Sequence, residues 1–170
     1  HWKPPVFSAR RRAARGPATD PHGQPVRNRL ASFCYFLFHW LEFFLGSHLC
    51  FRPVTFRGGL VLVDRFYFDF FVDQRRYRLQ VPQGIVRLGY AFLKKPDLVV
   101  LLDAPAEVLQ TRKQEVPLAE TERQCHAYRT LVKSLGNGRI IRAAQPAEKV
   151  AEDLCRMILD YMAKRTESRH

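Results

Sequence analysis

A chain of 170 residues with 46% hydrophobic and 12% aromatic content is sized for one domain with a real core, which excludes a largely disordered protein. Its formal charge of +12 favours polyanionic partners (nucleic acid, acidic lipid or phosphorylated small molecules) without choosing among them. Cys34, Cys50, Cys125 and Cys155 lie far apart with no Cys-x-x-Cys pair, so a zinc site and a disulfide framework are disfavoured and reduced cytoplasmic thiols fit best.

The chain opens at His1 with no Met and no signal pattern, and is read as processed or as a fragment of a longer reading frame. Trp2 to Phe7 fits a short strand, and residues 8–29, with Arg10, Arg11, Arg12 and Arg15 among Gly and Pro, fit a basic, mobile loop. That loop is either a solvated linker or an arm over phosphates. Leu30 to Phe51 is dense in Phe, Leu and Trp. Glu42, His39 and His48 argue against a transmembrane span there, because a mid-span charge costs about 2.5 to 3.5 kcal/mol on insertion scales. A core helix that turns Glu42 outward is expected, with a helix lying on a membrane surface as the lesser option.

Pro53 and Gly58-Gly59 precede Leu60 to Val63, an apolar run closed by Asp64 and Arg65. Such a run predicts a strand buried on both faces, and the carboxyl end of such a strand is where α/β folds place ligand chemistry. The aromatic segment that follows, with Asp69, Asp73 and Gln74, has a substrate-facing composition. A helix is expected over Gly84 to Lys95, stopped by Pro96. Leu98 to Leu102 predicts a second buried strand ending in Asp103, and Pro105 opens a helix to about Lys113. A helix from about Glu120 to Leu135 ends at Gly136-Asn137-Gly138. Arg139 to Ala143 predicts a third strand, and Pro146 opens a last amphipathic helix. Strands alternating with helices at this spacing indicate a parallel sheet flanked by helices.

Asp64-Arg65-Phe66, the run Pro96 to Val108 with its Pro-Asp and Pro-x-Glu-Val elements, Arg112-Lys113, and Glu122-Arg123 with Tyr128 together resemble the thymidylate kinase family. The resemblance runs in order from about Pro53 to the C-terminus. It implies a single P-loop kinase-like domain over residues 1–170, a three-layer α/β sandwich lacking its first, central strand. Phosphoryl transfer in that family works by positioning and charge stabilisation, with ATP and Mg²⁺ as cofactors. Asp64 would orient metal-bound water or the acceptor and so serve as the metal-side residue, Arg65 would hold the acceptor's negative charge, and Arg112 would neutralise the transferring phosphoryl group. Arg112, Lys113, Gln145 and Pro146 would bind the nucleotide. Lys3, Phe66, Asp69, Asp73, Gln74 and Arg123 would face the acceptor.

Each reading has a structural counterpart. Asp64 at a strand end equally serves as an N-cap, Asp103 is read as capping the helix after it, Arg123 is either a lid residue or the partner of a neighbouring acid, and Lys113 is equally a solvated side chain. Glu42 and Phe43 stand where the family carries an Asp-Arg pair, so thymidine monophosphate is disfavoured as acceptor. No Gly-x-x-x-x-Gly-Lys-Ser/Thr loop occurs in the chain, and it is expected upstream of His1. The competing function is a non-catalytic basic module for nucleic acid or an anionic membrane. A homodimer is compatible with either.

Overall fold

A computed structural model describes residues 25–112, 114 and 116–167. The expected strand at Trp2 to Phe7, Lys3, Lys113 and most of the basic loop lie outside them. The described chain falls into two compact units, divided between Lys95 and Pro96.

In the first unit, Asn28 caps helix α1 (Arg29–Leu45) by accepting the Ala31 amide at 2.8 Å, which satisfies one of the orphan donors of the first turn. The helix runs on through a π-helical stretch, Gly46–Phe51, into α2 (Arg52–Phe56). Ser47 Oγ donates to the Phe44 carbonyl inside that junction, a local bond of the kind that competes with the regular ladder. Ser32, Phe36 and His39 are buried at helical spacing, so one stripe of α1 faces a core. That core gathers Phe36, Tyr67, Phe70, Leu79, Val81, Val86 and Leu93. Aromatic rings meet edge to face in it, with Tyr67 and Phe70 centroids 5.1 Å apart and Phe36 and Phe70 5.7 Å apart, a geometry favoured by the ring quadrupoles. Short α3 (Asp69–Val72), a 3₁₀ turn (Gln74–Tyr77) and α4 (Gln83–Ala91) complete the unit. Trp40 Nε1 donates to the Gly89 carbonyl at 2.9 Å and Tyr67 Oη to the Val86 carbonyl at 2.8 Å.

Two expectations are overturned in this unit. Residues 59–63 form no strand: they have no ladder partner, and Leu60, Leu62 and Val63 are exposed. A strand exists only through its neighbours, and no described strand runs beside this run. Glu42 does not turn outward from a sheet. It turns to His39 Nδ1 at 3.1 Å with a side chain 19% exposed, because α1 packs on an aromatic cluster whose polar edge lies at His39. Arg29–Phe56 as a whole is long and apolar enough to cross a membrane by length and composition.

The second unit is a small parallel sheet with helices. β1 (Val99–Asp103) pairs with β2 (Gly138–Arg142) in register from Val99 with Gly138 to Asp103 with Arg142. Between them run α5 (Ala106–Arg112) and α6 (Leu118–Ser134), and α7 (Ala147–Glu167) follows β2. α6 packs on both strands and α7 on β2. Gly138 is required, since a Cβ there would strike the Val132 carbonyl. The described fold is thus mixed α/β, mostly helical, with a two-stranded parallel sheet in place of the wider one expected.

Candidate functional site

The carboxyl edge of the two parallel strands is where the side chains with chemical potential gather in the second unit. The Ala143 amide donates to the Asp103 carbonyl at 2.6 Å, closing the two strand ends together. Arg112, at the last turn of α5, donates from Nη2 to the Ala143 carbonyl at 2.9 Å. Arg129, from α6, donates from Nε to both Asp103 oxygens at 2.8 and 2.9 Å and from Nη2 to the Ala104 carbonyl at 3.3 Å. Two guanidinium groups therefore serve one strand edge, with opposite electrostatic outcomes. Asp103 neutralises Arg129. Arg112 is held by a neutral acceptor, and no carboxylate pairs with it among the described residues.

Gln145 and Pro146 stand two and three residues after Ala143, so the bond from Arg112 to the Ala143 carbonyl brings a residue distant in the chain next to the turn expected to meet the nucleotide. Gln145 Nε2 donates to Asp153 Oδ2 at 2.8 Å, and Pro146 opens α7 by accepting the Val150 amide. Arg123 lies apart from this edge in its bonding: it grips Glu120 in a fork, Nε to Oε2 at 2.8 Å and Nη2 to Oε1 at 2.7 Å. Of its two expected roles, partnership with a neighbouring acid is the one formed. Asp103 likewise holds Arg129 rather than serving simply as a cap. A cavity of about 270 Å³ beside this edge is lined by Pro105, Ala106, Glu107, Glu122, Cys125 and Arg129. Burial pushes the Cys125 thiol up, which favours its protonated form.

In the first unit, Asp64 and Arg65 sit in a bend. Arg65 has φ 60°, a left-handed conformation uncommon outside glycine and associated with local strain at functional positions. Its Nη1 donates to Asp69 Oδ2 at 3.2 Å, from a side chain 53% exposed to a carboxylate 7% exposed. Tyr77 Oη donates to the same oxygen at 3.2 Å. Asp64 is exposed, and no hydrogen bond or ion pair engages it among the described residues. Phe66 packs on Phe43 at 5.5 Å.

Asp73 and Gln74, expected at the acceptor, are committed to structure. Asp73 is buried and caps the 3₁₀ turn by accepting the Arg76 amide. Gln74 pairs with the Val81 backbone in both directions, Nε2 to the carbonyl at 3.0 Å and Oε1 from the amide at 2.9 Å, mimicking a strand neighbour. Tyr77 and Arg129 escaped sequence reading. Arg129 lies 26 residues from Asp103, a separation that no local pattern links, whereas Tyr77 followed an Arg-rich turn whose fold back onto Asp69 had no motif. No group of three or more metal-ligating side chains forms among the described residues. Compared with known proteins, the chain matches no protein-family profile and no curated relative.

Proposed function

We propose that this protein transfers a phosphoryl group from ATP to a small phosphorylated or hydroxyl-bearing acceptor other than thymidine monophosphate, in the manner of a thymidylate kinase-like enzyme. The observation that carries this reading is Arg112, a guanidinium with no described counter-charge, fixed at the carboxyl edge of parallel strands. That edge is the usual ligand side of an open α/β sheet. A charge retained there, rather than spent on a carboxylate, suits an anionic ligand that brings its own oxygens.

The roles are assigned separately within each unit. In the second, Arg112 neutralises charge on the transferring group, and the Gln145-Pro146 turn borders the nucleotide. In the first, Arg65 presents its partly exposed fork to the acceptor while Asp69, itself bonded by Tyr77, holds its near side. Asp64 orients the acceptor or a metal-bound water. The exposed carboxylate of Asp64, unengaged among the described residues, fits Mg²⁺ that arrives with ATP, since such ions keep several waters and take one or two protein carboxylates plus phosphates. When bound, the ion would supply charge neutralisation to the transferring phosphoryl group. The finer fold proposed is the P-loop kinase sandwich, which requires a phosphate loop that these 170 residues do not contain.

The test is phosphoryl transfer by the natural full-length protein, measured as ADP formed from Mg-ATP with a panel of nucleoside monophosphates and small hydroxyl acceptors. Asp64→Ala, Arg65→Ala and Arg112→Ala are each expected to abolish transfer. Full activity in all three variants removes the assignment, and a complete gene without an upstream Gly-x-x-x-x-Gly-Lys-Ser/Thr removes the kinase reading.

A further inference from the structure

Helix α1 is apolar on both sides. Its inner stripe packs on Tyr67 and Phe70, while Leu30, Phe33, Leu37, Phe38, Leu41 and Leu45 are all exposed. Their spacing places them on one continuous outer stripe, and Cys34 within it is exposed too. No Lys, Arg or Asp occurs between Leu30 and Leu45, and the single carboxylate there, Glu42, is turned to His39. A surface helix normally carries charge on its outer face, and one that is apolar all round is normally covered.

The charge around the stripe identifies the cover. Arg29 is exposed at the start of α1, and Arg52 and Arg57 are exposed at its far end, where Lys94 Nζ also lies 3.4 Å from Thr55 Oγ1. Arg27 stands over the exposed Tyr35 ring at 4.1 Å. The unit's described carboxylates give almost nothing back: Asp69 and Asp73 are buried, Glu42 is held by His39, and Asp64 is exposed. A groove of about 450 Å³ lined by Arg29, Phe33, Gln80, Val81 and Pro82 opens beside the first turn. It sets a guanidinium next to an apolar recess.

We propose that the first unit docks on an anionic lipid surface through the outer stripe of α1, its Leu and Phe side chains entering the acyl boundary and its flanking cations meeting headgroup phosphates. This is the combination of apolar face and basic surround that binds anionic bilayers. A second copy of the chain would bring like charge against like charge. Nucleic acid would satisfy the cations and leave the stripe in water. The helix lies on the surface instead of crossing it, because its other face is packed on polypeptide carrying Asp69 and Asp73, which a crossing would pull towards hydrocarbon.

The experiment is flotation of the natural full-length protein with vesicles of phosphatidylcholine alone and of phosphatidylcholine with phosphatidylglycerol. Binding to the anionic vesicles is expected, weak binding to the neutral ones, and release by alkaline carbonate. Leu37→Ser/Leu41→Ser should lower anionic-vesicle binding about tenfold or more with an unchanged thermal midpoint. A variant retaining Cys34 as its one cysteine, labelled with a polarity-sensitive dye, reads the same contact without altering the stripe, and its emission should shift to the blue on anionic vesicles. Four results overturn the proposal: no vesicle binding; equal binding by the double variant, which makes the contact charge alone; resistance to carbonate, which makes the helix a span; or a lipid-free dimer that the double variant dissolves.

Discussion

Arg112 Nη2 donates to the Ala143 carbonyl at 2.9 Å, so a full positive charge is positioned by a group that does not neutralise it. Arg123 pairs with Glu120 within α6 and Arg129 ties α6 to the end of β1, so of the three only Arg112 has no carboxylate partner among the described residues. Arg112→Ala is expected to cost about 1 kcal/mol of stability, the net value of one partly buried hydrogen bond, while abolishing phosphoryl transfer. Arg112→Lys keeps the charge but loses the fork, and should retain nucleotide binding with lowered turnover. Urea unfolding beside ADP-release kinetics checks both, and activity in Arg112→Ala equal to that of the natural chain would contradict the assignment.

Arg65 offers a test in which stability and activity part company. Its left-handed backbone at φ 60° suits glycine, so Arg65→Gly relieves strain even as it deletes the bond to Asp69. The two effects oppose each other, and the net change is expected to stay within about 1 kcal/mol. Transfer should nevertheless be lost, because the fork presented to the acceptor is gone. Asp69→Asn should leave the bend in place and raise the acceptor KM by loosening Arg65. An Arg65→Gly variant with undiminished activity would show that the bend serves the fold alone.

Helices and the two paired strands were legible because their signals are local: Pro105, Pro146 and Gly136-Asn137-Gly138 mark ends, and apolar spacing marks faces. Residues 60–63 misled because continuous Val and Leu describe a strand with neighbours, and a neighbour is not a property of the run itself. The same limit applied to the site. Arg112 could be singled out by motif, but its bond to Ala143 joins residues 31 apart, and the burial of Asp73 and the two-way pairing of Gln74 depend on how residues 73–81 fold back. Their side-chain chemistry suggested an acceptor site, and their backbone partners absorbed that chemistry instead.

Gly89 and Leu62 should respond in opposite senses to enlargement. A Cβ at Gly89 would come within 2.6 Å of Tyr67 Oη and 2.9 Å of Trp40 Cδ1, both held by hydrogen bonds to α4. Gly89→Ala is therefore expected to destabilise by about 1 to 3 kcal/mol, the usual cost of overpacking. Leu62 is 71% exposed, and Leu62→Lys should change stability by no more than about 0.5 kcal/mol. If the run were instead a buried central strand, a lysine there would unfold the protein. Urea midpoints of the two variants decide the matter.

His39 gives the protein a pH dependence whose sign follows from its surroundings. Burial lowers its pKa below the ordinary 6.5, and it outweighs the Glu42 carboxylate at 3.1 Å, which pulls the other way; Arg27 adds to the lowering. The rings of Tyr35, Phe38, Phe70 and Tyr77 also lie against it. The unfolded chain therefore takes up a proton at His39 before the folded chain does. The stability contributed by neutral His39 is fully present above pH 6.5 and is lost as pH falls towards the depressed folded value. Urea midpoints measured from about pH 8 to about pH 5 should fall more steeply for the natural chain than for His39→Gln, which keeps a polar group near Glu42 but cannot titrate. Parallel curves would mean that the imidazole gains its proton as readily inside the core as outside it.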